Sequence, residues 1–285
     1  MREDIEQSRM RVNRRRALGL GGTIGLGALL AACAPNRDGA TGGASTEPAT
    51  PTPTATDGNA IAPTTASGAD LVAKLDTIGA CRLTPEETQG PYYFDVDAIR
   101  SDIREGRPGT PVTLALRVYD ASCTPIPNSV VEIWHCDAGG VYSGFEVASG
   151  GGAPGGLSGG DVSDGSYSSG VNESTPADDG TYLRGAQVAD SNGIVQFQTI
   201  WPGWYRGRTV HIHLKAHVDK VNVLTSQLYF DDALNDAVFA TVPYDAHPGR
   251  DTSNDTDGIY EPSALLAVEQ ASTGYLAYAN LGIEL

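Results

Sequence analysis

The sequence predicts an all-β protein, an antiparallel β-sandwich with long loops and few short helices. Three observations predict it. Segments of seven to eleven residues with alternating or apolar character recur, each bounded by Gly, Pro, Asp or Asn. Helical periodicity is confined to short pieces. The chain is also rich in turn formers, with 35 glycines and 17 prolines in 285 residues, which suits short strands joined by many connections.

In chain order, the first strand is "VTLALRVYD" (112–120), which alternates, and the second is "SVVEIWHC" (129–136). "DSNG" (190–193) is a turn that leads into "GIVQFQTI" (193–200). "RTVHIHLKAHV" (208–218) and "VLTSQLYF" (223–230) follow, and "DDALNDAVFAT" after Phe230 reads as a short helix. "ALLAVEQASTGYLAYANLGIEL" at the end reads as two strands around a Ser-Thr-Gly turn. "ASGGGAPGGLSGGDVSDGSYSSG" (148–170) is too glycine-rich for a regular element and is expected to be a long loop.

Composition divides the chain in three. Residues 1–33 hold six of the 19 basic residues and three of the 35 acidic ones. Their basic start, uncharged glycine-rich run and "LAAC" (30–33) resemble a twin-arginine lipoprotein signal, which implies export and a lipid on Cys33. An ordinary secretory signal with a chance cysteine is the alternative. Residues 34–70 are almost all Ala, Thr, Gly, Pro and Ser, too poor in apolar side chains to offset ordering entropy, and read as a flexible linker. Residues 71–285 are the expected folded domain, with a size suited to one core.

Without the first 33 residues the net charge falls from −16 to −19, leaving 13 basic against 32 acidic residues. Such a surface argues against nucleic acid as a partner, because phosphate binding needs clustered Lys and Arg. With Cys33 assigned to lipid, Cys81, Cys123 and Cys136 remain. Cys123 and Cys136 bracket a strand about 26 Å long, so a bridge between them needs a fold-back. A Cys81–Cys123 pair with Cys136 free is the favoured arrangement.

The chemistry concentrates in "PGWYRGRTVHIH" (202–213). Residues i and i+2 of a strand share a face about 6.6 Å apart, so His211 and His213 can reach one metal ion. The pair alone also fits two structural imidazoles. His217 has the same parity but lies further along and is expected at the surface. Tyr205, six residues before His211, follows a Pro-Gly turn that returns the chain beside the strand, and Arg208 lies between them. Upstream, "VEIWHCDAGGVYSG" (131–144) ends a strand in a Gly-Gly turn and presents Tyr142. Packing alone would also account for both tyrosines.

These segments resemble the intradiol ring-cleavage dioxygenases, the protocatechuate 3,4-dioxygenase and catechol 1,2-dioxygenase family. The likeness runs through "LTPEETQGPYY" (83–93), "VVEIWHCDAGGVYSG", "YLRGAQVADSNGIVQFQTIWPGWYRGRTVHIH" (182–213) and "SQLYF" (226–230). It implies a non-haem Fe(III) held by Tyr142, Tyr205, His211 and His213, with Tyr205 as the ligand that leaves when a catechol binds. It also implies Arg208 and Gln227 as catalytic residues and Trp134 beside the pocket. The implied reaction opens a catechol between its two hydroxylated carbons with O₂, giving a cis,cis-muconate.

The sequence departs from better-known members in lacking their helical N-terminal dimerisation region, in its 148–170 loop and in its export signal. It does not single out one catechol or a subunit number, and neither Arg184 nor Arg206 is assigned to a substrate carboxylate. Two other readings stand beside the resemblance. One is an exported sandwich whose metal site serves as a binding module without turnover. The other is a zinc hydrolase on the His-x-His pair, which would need a third histidine or a carboxylate.

Overall fold

The computed structural model describes residues 68–78, 82–149, 167 and 173–285. The expected 1–33 signal, Cys33, Cys81, nearly all of the expected linker and most of the Gly/Ser segment lie outside these residues.

Helix α1 (Gly68–Thr77) straddles the expected start of the domain. It packs Leu71 and Leu75, both fully buried, against Ala115, Ile194, Leu276 and Tyr278. Strands β1 (Pro111–Asp120), β2 (Val130–Trp134), β3 (Arg184–Val188), β4 (Ile194–Ile200), β5 (His211–His217), β6 (Val223–Tyr229), β7 (Ala267–Gln270) and β8 (Tyr275–Ile283) form two four-stranded sheets. Their orders are β4-β1-β8-β7 and β3-β2-β5-β6. Short helices α2 (Glu146–Ser149) and α3 (Asp232–Phe239) sit in connections, and Asp231 caps α3 by accepting from the backbone N–H groups of Ala233 and Leu234.

The all-β reading holds, with one departure from the antiparallel expectation: β1 and β8 pair in parallel, Val112 opposite Tyr275 through Asp120 opposite Ile283. The final strand thus enters the middle of the first sheet instead of extending its edge. Among the described residues, Cys136 is free and buried, while Cys123 is disulfide-bonded.

Alternation explains the core. Leu114, Leu116 and Val118 of β1, Phe197 of β4, Val131 and Ile133 of β2, and Ile212, Leu214 and Ala216 of β5 meet between the sheets. Each large apolar side chain buried there contributes roughly 1.5–3 kcal/mol. The opposite face of the second sheet is buried as well. All seven residues of β5 are enclosed, including His211, His213, Lys215 and His217. Tyr93 and Tyr167 help to close this face: Lys215 Nζ lies 3.8 Å from the Tyr93 ring centroid, and the Tyr167 ring packs edge-on against His217.

His217 therefore corrects the expectation of a surface residue. It is 2% exposed and lies 3.8 Å from Glu132, itself buried on the neighbouring strand. Parity placed His217 on the same face as the other two histidines, but the connections that cover that face come from distant parts of the chain.

Candidate metal and catalytic site

The site forms where β5 meets two loops. His211 and His213 project from the covered face of β5, and their Nε2 atoms stand 3.1 Å apart. Tyr142 reaches in from the loop after β2, with its hydroxyl 3.4 Å from His211 Nε2. Tyr205 comes from the turn before β5, where Tyr205 and Arg208 form a two-residue bridge, and its hydroxyl lies 3.0 Å from the same nitrogen. The structure thus gathers all four residues expected from the sequence.

Two glycines permit this convergence. Gly140 has φ +81°, and a Cβ there would stand 2.2 Å from the Trp204 carbonyl oxygen. A Cβ at Gly203 would stand 2.4 Å from the Asp137 carbonyl oxygen. The loops bearing Tyr142 and Tyr205 therefore touch backbone to backbone, which side chains at these positions would prevent. The amide of Gly203 completes the contact by donating to Asp137 O at 3.0 Å.

The donor chemistry fits a bound cation. His211 Nδ1 lies 2.6 Å from the Thr209 carbonyl, which assigns the proton to Nδ1 and leaves an Nε2 lone pair facing the site. Two phenols and the His213 nitrogen crowd that single lone pair, while His213 Nδ1 is buried with no hydrogen-bond partner. Donor atoms bound at about 2.0–2.1 Å to one metal stand roughly 2.9–3.4 Å apart, the range seen here.

Burial pushes the Tyr142 and Tyr205 phenols above their ordinary range. Burial, reinforced by Arg208, pulls His211 down to about 3, and burial together with His211 pulls His213 well down. Both imidazoles are therefore neutral at neutral pH, and ionised phenols here require a cation in their midst.

Around this centre, the Trp134 indole lies flat on His213, with centroids 5.0 Å apart and planes 4° from parallel. That follows from register, since Trp134 pairs with His213 across β2 and β5. Gln227 pairs with His213 from the other side and accepts a hydrogen bond from Arg208 Nη2. Arg208 Nε donates to Asp257 Oδ2 at 2.9 Å, and the same oxygen accepts from the Thr209 amide at 2.8 Å. Burial opposes the Arg208 charge, but Tyr205 and Asp257 outweigh it and hold the group firmly protonated.

Arg184 and Arg206 part company. Arg206 is 93% exposed beside Asp251, whereas Arg184 is enclosed and bound to Ser143.

Sequence reasoning missed Asp257, Thr209 and Tyr92. Tyr92 stacks on Tyr142 with centroids 4.8 Å apart, within a segment already singled out, "GPYY". Asp257 lies in a turn-rich stretch, and nothing in its own sequence marks it as the partner of Arg208.

Known proteins similar to this chain point to one family. A family model described as "Dioxygenase" matches residues 88–154. The chain is 25% identical over 183 residues to chlorocatechol 1,2-dioxygenase of Rhodococcus opacus, covering 52% of this chain and 56% of the relative. It is 27% identical over 174 residues to catechol 1,2-dioxygenase of Acinetobacter baylyi, covering 53% and 47%. It thus spans about half the length of these two relatives. A solved structure, the intradiol ring-cleavage dioxygenase from Tetranychus urticae, aligns with TM-score 0.60 and 32% identity over 72% of this chain and 95% of that one. By that likeness across nearly the whole length of a solved member, the chain belongs to the intradiol ring-cleavage dioxygenase family.

Proposed function

We propose that the chain is a non-haem Fe(III) dioxygenase that opens a catechol-type ring between its two hydroxylated carbons with O₂. The observation that carries this is the convergence of Tyr142, Tyr205 and His213 on the His211 Nε2 lone pair, at 3.4, 3.0 and 3.1 Å. Phenolate and neutral imidazole are moderately hard donors suited to Fe(III), and no thiolate belongs to the set. The two donors that join the histidines are phenols, not the third histidine or carboxylate of a zinc hydrolase. Bound iron would accept charge from a chelating catecholate and make the ring reactive towards O₂.

The chain's own residues supply the rest. Tyr142 is fully buried and remains in place. Tyr205 is half-buried, sits on a turn beside the exposed Arg206 and Gly207, and is the ligand free to swing away and accept a substrate proton on its phenolate oxygen. Arg208 is aimed by Asp257 and Gln227, and stabilises negative charge as it develops on the substrate. Trp134 fixes the ring plane of His213 and, with Tyr93, shields it from water.

The basic n-region and "LAAC" support a further part of the proposal, that the protein is exported folded and held at the outer face of the cytoplasmic membrane by lipid on Cys33.

The test is metal analysis and visible spectroscopy of the protein purified with iron. The expected result is one iron per chain and a red-brown phenolate-to-iron band. His211→Ala or His213→Ala should lose both together. A colourless iron-loaded protein, or stoichiometric zinc, contradicts the proposal.

A further inference from the structure

Arg184 occupies the last rung of the β2–β3 pair, opposite Trp134. It is 1% exposed. A guanidinium taken out of water normally needs an anion, because the cost of desolvating the charge is large. Among the described residues no carboxylate lies within hydrogen-bond or ion-pair reach of it. Its Nε donates to Ser143 Oγ at 2.9 Å and its Nη2 to the Ser143 carbonyl at 2.8 Å, while Nη1 is buried with no acceptor. The Phe94 ring lies 4.3 Å from its Cζ and the Phe145 ring 5.8 Å away, so two aromatic rings pack to one side of it.

What the arrangement holds is the Tyr142 loop. Ser143 directly follows Tyr142, and its hydroxyl donates onward to the Tyr182 carbonyl at 2.6 Å. A buried cation with no carboxylate in ion-pair reach thus grips the residue next to a phenol that becomes an anion only when it binds metal.

Resting on the iron reading above, we propose that Arg184 is a positioning residue for Tyr142. Its planar fork clamps the loop through Ser143, and its charge serves as counter-ion to the Tyr142 phenolate. This gives the two tyrosines their different roles. Tyr142 is clamped through Ser143, and so stays on the metal. Tyr205 has the Arg208 charge beside it but no such clamp, and is the one released.

The proposal separates into charge and geometry. A fixed positive charge lowers the energy of the phenolate's filled orbital, so removing it should move the phenolate-to-iron band to longer wavelength. Losing the fork should loosen the ligand, and outer partners of metal ligands are typically worth roughly 10–100-fold in metal affinity.

The experiment uses the full chain loaded with Fe(III), comparing wild type, Arg184→Met and Arg184→Lys by visible spectrum and by the rate at which a chelator strips the iron. Arg184→Met should shift the band to longer wavelength and lose iron about 10-fold faster or more. Arg184→Lys keeps the charge but cannot span both Ser143 oxygens, so it should hold the band position and still lose iron faster. A wild-type band and stripping rate in Arg184→Met overturns the proposal. If that variant does not fold, a wild-type stripping rate in Arg184→Lys overturns it instead. A wild-type protein with no band overturns the iron reading and this proposal together, whereas a normal wild-type band with unaffected variants overturns this proposal alone.

Discussion

The contact between the two tyrosine loops makes Gly140→Ala the most exacting single substitution. Gly140 sits at φ +81°, where an L-residue is strained, and the new methyl would stand 2.2 Å from the Trp204 carbonyl oxygen. Restoring ordinary contact at 3.4 Å requires the loops to part by about 1.2 Å. Backbone strain and the lost loop packing together should cost ~2–4 kcal/mol. In a domain of this size that lowers Tm by roughly 5–10 °C. The displacement falls on the elements that carry Tyr142 and Tyr205, and a 1 Å misplacement of reacting groups can cost about 10²-fold in rate. Gly106→Ala is the control. Gly106 also has positive φ, but nothing lies within 4 Å of its added Cβ, so it should show the strain without the loss of rate. The assays are thermal unfolding, bound iron and oxygen uptake with a catechol. If Gly140→Ala keeps wild-type turnover, or loses no more than Gly106→Ala, the two loops do not set the site geometry as argued.

Three further outcomes follow. Asp257→Asn keeps the shape of the Arg208 partner but removes its charge, so kcat should fall between wild type and Arg208→Ala, which should itself lose roughly 10²–10³-fold; wild-type kcat in Asp257→Asn contradicts the aiming role. Burial raises Glu87 to about 7 from 4.5, so between those values the folded state holds more protons than the unfolded state and this group's contribution to stability is lost as pH rises. Glu87→Gln should remove that loss, and unfolding curves for both proteins at several pH values from 4.5 to 7 check the sign. On the proposal that Cys33 carries a lipid, Cys33→Ala should release the protein from the membrane fraction, and unchanged membrane retention would rule out the anchor.

Much of the site was legible because it rests on local rules. Strand parity put His211 and His213 on one face, and the Pro-Gly turn brought Tyr205 back beside them. The paired phenols gained meaning only through the ordered motifs, since a tyrosine at a strand end is common in any sandwich. What the sequence hid is non-local. The parallel β1–β8 pair joins residues more than 160 apart in the chain, with nothing in either strand to mark the direction. Lys215 and His217 look like residues of a solvated face until Tyr93 and Tyr167 are seen to cover them. Asp257 lies 49 residues after Arg208 in a turn-rich segment. Arg184, in a stretch rich in family likeness, reads as one more basic residue until its enclosure and its grip on Ser143 are known.

The central claim is ring opening between the hydroxylated carbons, and product analysis under isotopically labelled O₂ tests it directly. The iron-loaded protein is incubated with catechol, substituted catechols and hydroxyquinol, and the products are resolved by mass and by ultraviolet spectrum. The account predicts a cis,cis-muconate-type diacid that carries both atoms of one O₂ molecule. A semialdehyde from cleavage beside the hydroxyls, or an iron-loaded protein that consumes no oxygen with any of these catechols, would contradict it.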